Sequence, residues 1–315
     1  MTPTADILVI INPASASGRT GRNIPAILRA LLAGLPRACT PCLTRGRGHA
    51  EALAAEAVRG RRAMIVAVGG DGTINEVVNG MLSASGGRTP DTLLGIVSSG
   101  SGSGFALSLG LPMDPVTQVS ILGGRSVRLV DAGFLEASPR GGRPALRYFI
   151  NECQIGIGAE VVRRNTGVTK AAGGLLGYGA ATIASLFGTP NVNLRVTVDG
   201  TDLDESDFLG LSIGNGAFTG GGMALTPGAD LSDGYLNLLA IHGQSLLSRL
   251  TSFPRIYRGS HVDSPHFSYS KVRRITVEGE GRVAVAADGE LLGAVPCAVG
   301  IAPATLRILC PTIKE

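Results

Sequence analysis

Residues 63–82 read AMIVAVGGDGTINEVVNGML, and the fold prediction starts from this stretch. Ala63 to Val68 form an uninterrupted apolar run, which predicts a strand that is buried on both faces. A glycine-rich turn follows, and from Thr73 to Leu82 the apolar positions recur at helical spacing. Strand, turn and helix in this order are typical of one unit of a parallel α/β sheet.

The same alternation continues on both sides of this stretch. The predicted strands are residues 6–12, 38–44, 63–68 and 93–97. The predicted helices are residues 24–32, 48–58, 73–82, 105–109 and 114–122. Apolar strands that alternate with amphipathic helices predict a doubly wound parallel sheet with helices on both faces.

The rest of the chain has a different pattern. From about residue 126, short strand-like runs are separated by Gly, Asp and Pro turns, which predicts a mostly antiparallel β domain. These runs are residues 127–135, 148–151, 194–198, 208–213, 236–241, 272–277 and 283–287. A chain of 315 residues also exceeds the size of one ordinary core. We therefore predict two domains, residues 1–130 and 131–302, and we expect residues 303–315 to pack back on the first.

Composition excludes several classes of protein. The 28 basic and 24 acidic residues contain no run of five like charges, so nucleic acid is not an expected partner. Five cysteines are too few for a disulfide scaffold and fit a reducing compartment. Met1 to Asp6 has no basic region of the kind that opens a signal peptide, so we expect a cytoplasmic protein.

One segment raises the question of membrane contact. Residues 171–194 carry no charge and are long enough to cross a bilayer, but they contain five Gly, one Pro and two Asn. This composition favours a partly buried apolar helix over residues 175–187 rather than a span. It leaves open whether the exposed face of that helix meets lipid.

Three loops rich in Gly or Ser follow predicted strands, at residues 12–18, 69–73 and 98–104. The carboxyl ends of parallel strands share one edge of the sheet, and backbone N–H groups there form an anion site. The loops therefore predict a bound nucleotide, although neither GxxxxGK[S/T] nor GxGxxG is present. Asp71 would repel phosphate unless Mg²⁺ carried by the nucleotide stood between them. The alternative is that Asp71 only caps the following helix.

Several motifs in order resemble the diacylglycerol kinase catalytic-domain superfamily, which includes bacterial lipid kinases, sphingosine kinases and ceramide kinases. They are GGDGTINEVVNG (69–80), INPASASG (11–18), Thr44 with His49-Ala50, NGAFTGGGMALTPGADLSDGYL (215–236) and ADGELL (287–292). GGDGT alone would also admit NAD kinase, but the spaced set covers nearly the whole chain.

The resemblance implies an NAD kinase-like N-terminal domain that binds ATP, and a β-sandwich-like C-terminal domain that holds the lipid. The expected nucleotide-binding residues are Asn12, Thr44, Gly69, Gly70, Asp71, Gly72, Thr73, Ile74, Asn75, Glu76, Gly100 and Ser101.

The resemblance also implies a structural Mg²⁺ held by Asp230, Asp233 and the backbone carbonyl of Tyr235. Two carboxylates in one turn suit a hard cation, although Asp-Gly pairs are most often only turns. For catalysis we favour Glu290 as the base, assisted by Asp288, with Asp71 on the nucleotide side. Without the resemblance, the Asp-Gly-Glu stretch would be interpreted as a hairpin turn.

The chain departs from the family pattern at two places. Ser98 to Gly104 lack the usual Pro and Asn of the third loop, and we expect the serine hydroxyls to bind phosphate or ribose instead. Gly158 stands where the family often has an Asp that would suit an amino-alcohol substrate. This second departure favours a neutral lipid head, as in diacylglycerol or ceramide, over sphingosine.

The sequence therefore predicts an ATP- and Mg²⁺-dependent lipid kinase, a phosphotransferase with an alcohol group as acceptor, which visits the membrane surface. Two alternatives remain: a soluble kinase similar to NAD kinase, and a non-catalytic protein that binds lipid or nucleotide. The oligomeric state stays open, a homodimer included.

Overall fold

The computed structural model describes residues 7–35, 38–99, 103–124, 126–138, 142, 145–165, 174–203, 206–219, 222–279 and 282–311. The chain divides into two compact units. The first comprises residues 1–132 and 303–315, and the second comprises residues 133–302.

The first unit alternates strands and helices, as predicted. Its strands are β1 (Ile7–Ile11), β2 (Cys39–Leu43), β3 (Met64–Gly69) and β4 (Leu93–Ser98). Its helices are α1 (Arg19–Gly34), α2 (His49–Arg59), α3 (Asp71–Ala84), α4 (Gly104–Ser108) and α5 (Pro115–Leu122). The strands pair in parallel in the order β2-β1-β3-β4. The predicted doubly wound α/β class is confirmed.

The continuous apolar strands are explained by burial on both faces. Every residue of β1 and β3 is buried. On one face, Val9 and Val66 pack with Ile27 of α1 and Val119 of α5. The residues between them point to the opposite face, where α2 and α3 lie. Both faces therefore require apolar side chains.

The second unit is mostly β. Its strands are β5 (Val127–Ser138, which begins in the first unit), β6 (Ala145–Phe149), β7 (Glu152–Gly156), β8 (Val192–Val198), β9 (Thr201–Asp202), β10 (Asp207–Gly214), β11 (Leu236–His242), β12 (Phe267–Val272), β13 (Arg274–Gly279), β14 (Ala284–Ala287) and β15 (Glu290–Leu309, which ends in the first unit). Its helices are α6 (Ile157–Asn165), α7 (Gly174–Gly188) and α8 (Leu246–Ile256), and a short 3-10 helix covers Ser260–Asp263.

The strands that position the site lie in the order β12-β11-β10-β7-β14-β15, and each pair is antiparallel. In this register Gln154 of β7 lies opposite Ser212 of β10 on one side and Ala286 of β14 on the other. A buried apolar core that includes Phe149, Ile155 and Phe208 packs the unit.

Helix α7 occupies the predicted apolar segment. Within the residues that the structure describes, no helix combines the length and apolar character needed to cross a bilayer. Helices α6 and α8 were not predicted. Both are short, of nine and eleven residues, and both mix apolar residues with Arg, Gly or Ser.

The strand predicted over residues 272–277 is two strands in the structure. β12 ends at Val272 and β13 begins at Arg274. The break has a local cause, because the Asp199 carboxylate accepts hydrogen bonds from the backbone N–H groups of Arg273 and Arg274.

Candidate active site

The parallel register places three predicted loops of the first unit at one edge of the sheet. Ile11 pairs with both Leu43 and Val68, and Gly69 pairs with Ser98. Backbone hydrogen bonds extend this order past the strand ends: Thr44 N–H donates to Ile11 O at 2.8 Å, and Asn12 N–H donates to Val68 O at 2.9 Å. The expected nucleotide-binding loops are therefore neighbours.

The first and second loops are joined by their side chains. Asn12 Nδ2 donates to Thr73 Oγ1 at 3.0 Å. Thr73 in turn lies close to Gly69, where an added Cβ would come within 2.6 Å of Thr73 Oγ1. Only glycine at position 69 permits this approach, which accounts for the first glycine of GGDGT.

Asp71 joins the second loop to the third. Its carboxylate accepts hydrogen bonds from the N–H groups of Gly104 (3.0 Å) and Phe105 (3.4 Å), at the start of α4. Ser103, the N-cap residue, does not cap this helix, because its hydroxyl bonds to Ser98 Oγ at 2.8 Å. Burial raises the pKa of Asp71, and the two backbone hydrogen bonds oppose that rise. Asp71 thus caps a helix, but not the one that follows it directly.

Glu76 also caps a helix. Its carboxylate accepts hydrogen bonds from the N–H groups of Gly48 (2.9 Å) and Ala50 (3.2 Å), at the start of α2. Negative charge at this end of a helix is favourable. Asn75 is buried and accepts from Asn79 Nδ2 through both its carbonyl and its side-chain oxygen. Glu76 therefore joins α3 to the start of α2, whereas these Asn75 hydrogen bonds stay within α3.

Three serines of the third loop, Ser98, Ser99 and Ser103, bind other hydroxyl groups of the protein. Ser99 Oγ lies 2.6 Å from Thr20 Oγ1 of α1, and Thr20 accepts from Ser15 Oγ at 2.6 Å. This hydroxyl chain connects the first and third loops, and the sequence analysis missed Thr20 and Ser99 as members of it. The predicted contacts at Gly100 and Ser101 lie outside the described residues. Gly70 and Gly72 flank the start of α3, and Ile74 is fully buried, so it offers the site only its backbone.

In the second unit, Asp288 anchors the loop between β6 and β7. Asp288 stands in the turn after β14 with φ of 44°. Its carboxylate accepts hydrogen bonds from the N–H groups of Ile150 (2.7 Å), Asn151 (2.9 Å) and Glu152 (3.1 Å). This arrangement suits a residue that positions its neighbours.

A third carboxylate, that of Glu152, belongs to the segment that Asp288 holds. Glu152 is buried at the first position of β7, and it accepts a short hydrogen bond from Thr219 Oγ1. Asn215 Nδ2 donates to Ile150 O at 2.9 Å and ties the same loop to the end of β10. Glu290 is the first residue of β15 and is half-buried. The sequence analysis missed Glu152 because the strand that it begins is only five residues long and has Gln154 at its centre.

An apolar cavity lies on the helical side of this unit. It encloses about 710 Å³ of empty space, including the part that opens to solvent. Its walls come from β7, β10, β11 and the three helices α6, α7 and α8. Arg249 fixes two of those helices, since its guanidinium donates to the carbonyls of Leu186 (3.0 Å) and Thr189 (2.6 Å) at the end of α7. Burial lowers the pKa of Arg249.

The residues expected to hold a structural Mg²⁺ are engaged otherwise. Asp233 Oδ2 accepts from Lys271 Nζ at 2.6 Å, and Asp233 Oδ1 accepts from Tyr235 N–H at 3.0 Å. Asp230 Oδ1 accepts from both the N–H and the hydroxyl of Ser232. Since an ammonium group already neutralises one of the two carboxylates, this set does not fit an open cation site.

A parallel α/β unit with three loops at one sheet edge, followed by a β-rich unit, is the arrangement of proteins with an NAD kinase-like fold. Residues 6–135 match the diacylglycerol kinase catalytic domain, and residues 152–310 match the YegS C-terminal NAD kinase beta sandwich-like domain. The chain belongs to the diacylglycerol kinase family of lipid kinases, which are phosphotransferases.

Individual relatives agree with this assignment. The diacylglycerol kinase of Mycobacterium tuberculosis is 29% identical over 260 residues, which cover 82% of this chain and 80% of the relative. The diacylglycerol kinase of Staphylococcus carnosus is 28% identical over 290 residues, 91% of this chain and 89% of the relative. A diacylglycerol kinase structure from Bacillus anthracis shares the fold, with a TM-score of 0.72 and 18% identity, and the match covers 99% of each chain.

Proposed function

We propose that this protein transfers the γ-phosphoryl group of ATP, brought as its Mg²⁺ complex, to the hydroxyl head of a membrane lipid. Diacylglycerol and ceramide are the favoured acceptors over sphingosine. The enzyme acts as a cytoplasmic protein that binds the membrane surface transiently.

The observation that carries this proposal is the position of the apolar cavity relative to the carboxylates of the second unit. Glu152 and Gln154 are two residues apart on β7, so their side chains share one face and lie about 6.6 Å apart along the strand. Gln154 lines the cavity, and the Glu152 N–H binds Asp288. A lipid in the cavity would therefore have its hydroxyl near the carboxylates and its chains among apolar side chains.

The proposed chemistry assigns different roles to the carboxylates. Glu290 accepts the proton of the lipid hydroxyl as that oxygen forms its bond to the γ-phosphorus. The bond from the γ-phosphorus to the bridging oxygen breaks, and ADP leaves. Asp288, which accepts three backbone N–H groups, holds the loop that carries Glu152.

On the nucleotide side, we assign phosphate binding to the loop edge formed by Asn12, Thr44 and Gly69 to Thr73. Backbone N–H groups and a helix N-terminus there favour an anion. The Mg²⁺ carried by ATP would neutralise charge on the transferring phosphoryl group. Asp71 is the carboxylate of this edge that suits the cation, and its cap on α4 holds it in place.

The lining of the cavity supports a neutral head group. Among the described residues that line it, none is Asp or Glu, and the one cation, Arg249, donates to backbone carbonyls. An ammonium group that entered the cavity would therefore be buried without a carboxylate partner among these lining residues, at considerable cost.

The helices that wall the cavity also carry apolar residues on their outer sides. On α7 the exposed positions include Ala180, Ile183, Ala184 and Phe187, at the i, i+3, i+4, i+7 spacing of one helix face. On α8, Leu247 is 72% exposed. The exposed Arg255 and Arg258 near the end of α8 add positive charge that suits an anionic lipid surface.

The assay is phosphate transfer from radiolabelled ATP with Mg²⁺ to diacylglycerol, ceramide, sphingosine, monoacylglycerol and NAD in mixed micelles. We expect labelled diacylglycerol or ceramide, and we expect Glu290→Gln to abolish the label. Glu278→Gln, an exposed glutamate of the same unit, is the matched control and should retain activity. Labelled NAD would instead indicate the soluble kinase. ATP binding without any product would indicate the non-catalytic relative.

Membrane contact has its own test. The double variant Phe187→Ser, Leu247→Ser should lose sedimentation with anionic vesicles and still phosphorylate a dispersed short-chain lipid. Leu32→Ser removes a leucine of the first unit that is 67% exposed, and it should sediment as the wild type does. Equal vesicle binding by all three proteins would contradict the proposed contact.

A further inference from the structure

The apolar cavity contains polar groups that the protein leaves unsatisfied. Among the described residues, Ser212 Oγ and both amide atoms of Gln244 have no hydrogen-bond partner. Ser212 is 3% exposed and Gln244 is 5% exposed, and both line the cavity. Buried polar groups are normally paired, so these atoms indicate a ligand that carries hydrogen-bonding atoms among its apolar parts.

Gln154 provides the second polar group beside Ser212. The two residues are directly opposite on β7 and β10, which brings their side chains together on one face. The amide of Gln154 lies against Gly158 of α6, and a Cβ at that position would overlap Gln154 Oε1. The absence of a side chain at Gly158 therefore decides where the Gln154 amide lies.

The pair stands between the carboxylates and the apolar part of the cavity. Glu152 is one same-face step along β7 from Gln154, about 6.6 Å. Beyond the pair, Ile157, Leu209, Leu225 and Phe253 line the cavity with apolar surface. In an acylated lipid alcohol, the group that separates the hydroxyl from the chains is the acyl linkage.

We propose that Gln154 and Ser212 bind the carbonyl oxygen of the acyl linkage in the acceptor lipid. The Gln154 amide and the Ser212 hydroxyl both donate to that oxygen, and this pairing selects acylated lipids over those with ether-linked chains. The proposal rests on the proposed lipid-kinase function and defines its substrate class as ester- or amide-linked lipid alcohols.

The experiment compares two acceptors that differ only at the linkage, dioctanoylglycerol and the dioctyl glycerol ether. The wild type should phosphorylate the ester with a kcat/KM more than tenfold higher, because the ether loses both hydrogen bonds and one hydrogen bond of about 1.4 kcal/mol already corresponds to about tenfold. Gln154→Leu should lower kcat/KM for the ester about tenfold, through KM, and leave the ether rate as it was. Ser212→Ala should act in the same direction with a smaller effect.

Gln244→Leu tests the other unsatisfied amide of the cavity by the same substitution. The proposal assigns Gln244 no contact with the carbonyl oxygen, so this variant should keep the ester preference. Gly158→Ala tests the pair without removing either residue, since it displaces the Gln154 amide, and it should lower the preference. Thermal melts identify any variant that fails to fold. The variants that fold then test whether Gln154 and Ser212 bind the carbonyl oxygen.

The outcomes separate the two proposals. If the wild type phosphorylates neither acceptor, the proposed function fails. If it phosphorylates them equally, or if Gln154→Leu, Ser212→Ala and Gly158→Ala all keep the ester preference, the assignment of the carbonyl subsite is wrong and the lipid-kinase function stands. A preference lost only in Gln244→Leu would place the carbonyl site elsewhere and overturn the assignment to Gln154.

Discussion

The carboxylate of Asp71 accepts a 3.0 Å hydrogen bond from the backbone N–H of Gly104, 33 residues further along the chain. Asp71 of the second loop therefore caps α4, the helix that follows the third loop. The same side chain is our candidate for the cation side of the nucleotide. We thus assign the Asp71 carboxylate two roles: it caps α4, and it is proposed to bind the cation carried by the nucleotide.

Substitutions of Asp71 separate these roles. Asp71→Asn retains an oxygen that can accept from Gly104 and loses only the longer hydrogen bond from Phe105 (3.4 Å), so it should be less destabilised than Asp71→Ala. It should still lower phosphoryl transfer at least 100-fold, because the negative charge is gone. Asp71→Ala should also lose the cap of α4, at a cost of about 1–2 kcal/mol in the free energy of unfolding. Urea unfolding and the radiolabel assay measure the two effects.

The control for this comparison is Asp114→Asn. Asp114 caps α5 by accepting from Thr117 N–H at 2.7 Å, and this hydrogen bond and that of the Thr117 hydroxyl lower its pKa. We expect this variant to lower stability and leave transfer intact. Normal transfer by Asp71→Asn would show that Asp71 acts only as a cap.

Substitution of Asp288 should mainly lower the free energy of unfolding, whereas substitution of Glu290 should mainly lower kcat. Asp288→Asn replaces one acceptor oxygen with an NH₂ group facing backbone donors, and we expect a loss of about 2–3 kcal/mol in the free energy of unfolding. Backbone strain does not contribute, because Asn tolerates the positive φ found there. Glu290→Gln should change stability little and lower kcat by 10²–10⁴-fold, the usual contribution of a general base. A large kcat loss in Asp288→Asn with normal stability would reverse these roles.

The ion pair between Lys271 and Asp233 predicts the response to metal removal. The hydrogen bond to Asp233 and the charges of Asp233 and Asp230 raise the pKa of Lys271, so the ammonium stays charged beside both carboxylates. The melting temperature of the nucleotide-free protein should therefore be the same in EDTA and in Mg²⁺. The melting temperature of the Lys271→Met variant should rise when Mg²⁺ is added. A rise in the wild type would show that a cation displaces Lys271.

His261 predicts a loss of stability in acid. It is fully buried, and burial lowers its pKa from the ordinary 6.5, although a hydrogen bond to Leu225 O and the charge of Asp263 oppose the shift. Above pH 6.5 the imidazole is neutral in both states. Below it the unfolded chain binds the proton first, so the free energy of unfolding should fall as pH drops below about 6.5. His261→Gln should reduce this slope in urea titrations.

The first unit could be predicted closely from the sequence because its signals are local. Strands buried on both faces are continuous apolar runs, and each helix begins within a few residues of a glycine-rich turn. The strand bounds of Ile7–Ile11, Met64–Gly69 and Leu93–Ser98 accordingly lie within one residue of those predicted. The family and the enzyme class, confirmed by comparison, rest on the same local motifs.

The second unit was harder to predict because antiparallel pairing depends on partners far away in the chain. β7, the short strand Glu152–Gly156, pairs with β10 and β14, more than 50 and about 130 residues later. Neither the strand nor the buried Glu152 could be recognised without those partners. Their assignment needed the assembled sheet.

By itself, the sequence determined the alternation of strands and helices in the first unit, the loops at one sheet edge, the β-rich second unit and the motifs of a lipid kinase family. All of these depend on residues within about ten positions of one another. Only the tertiary structure decided which partner each of three carboxylates has: Asp71 with α4, Glu76 with α2, and Asp233 with Lys271. It also decided that Gln154 lies opposite Ser212 in the sheet. The physical reason is that a carboxylate binds whichever donor the fold brings within about 3 Å, and that donor lies 26 to 38 residues away in these three cases.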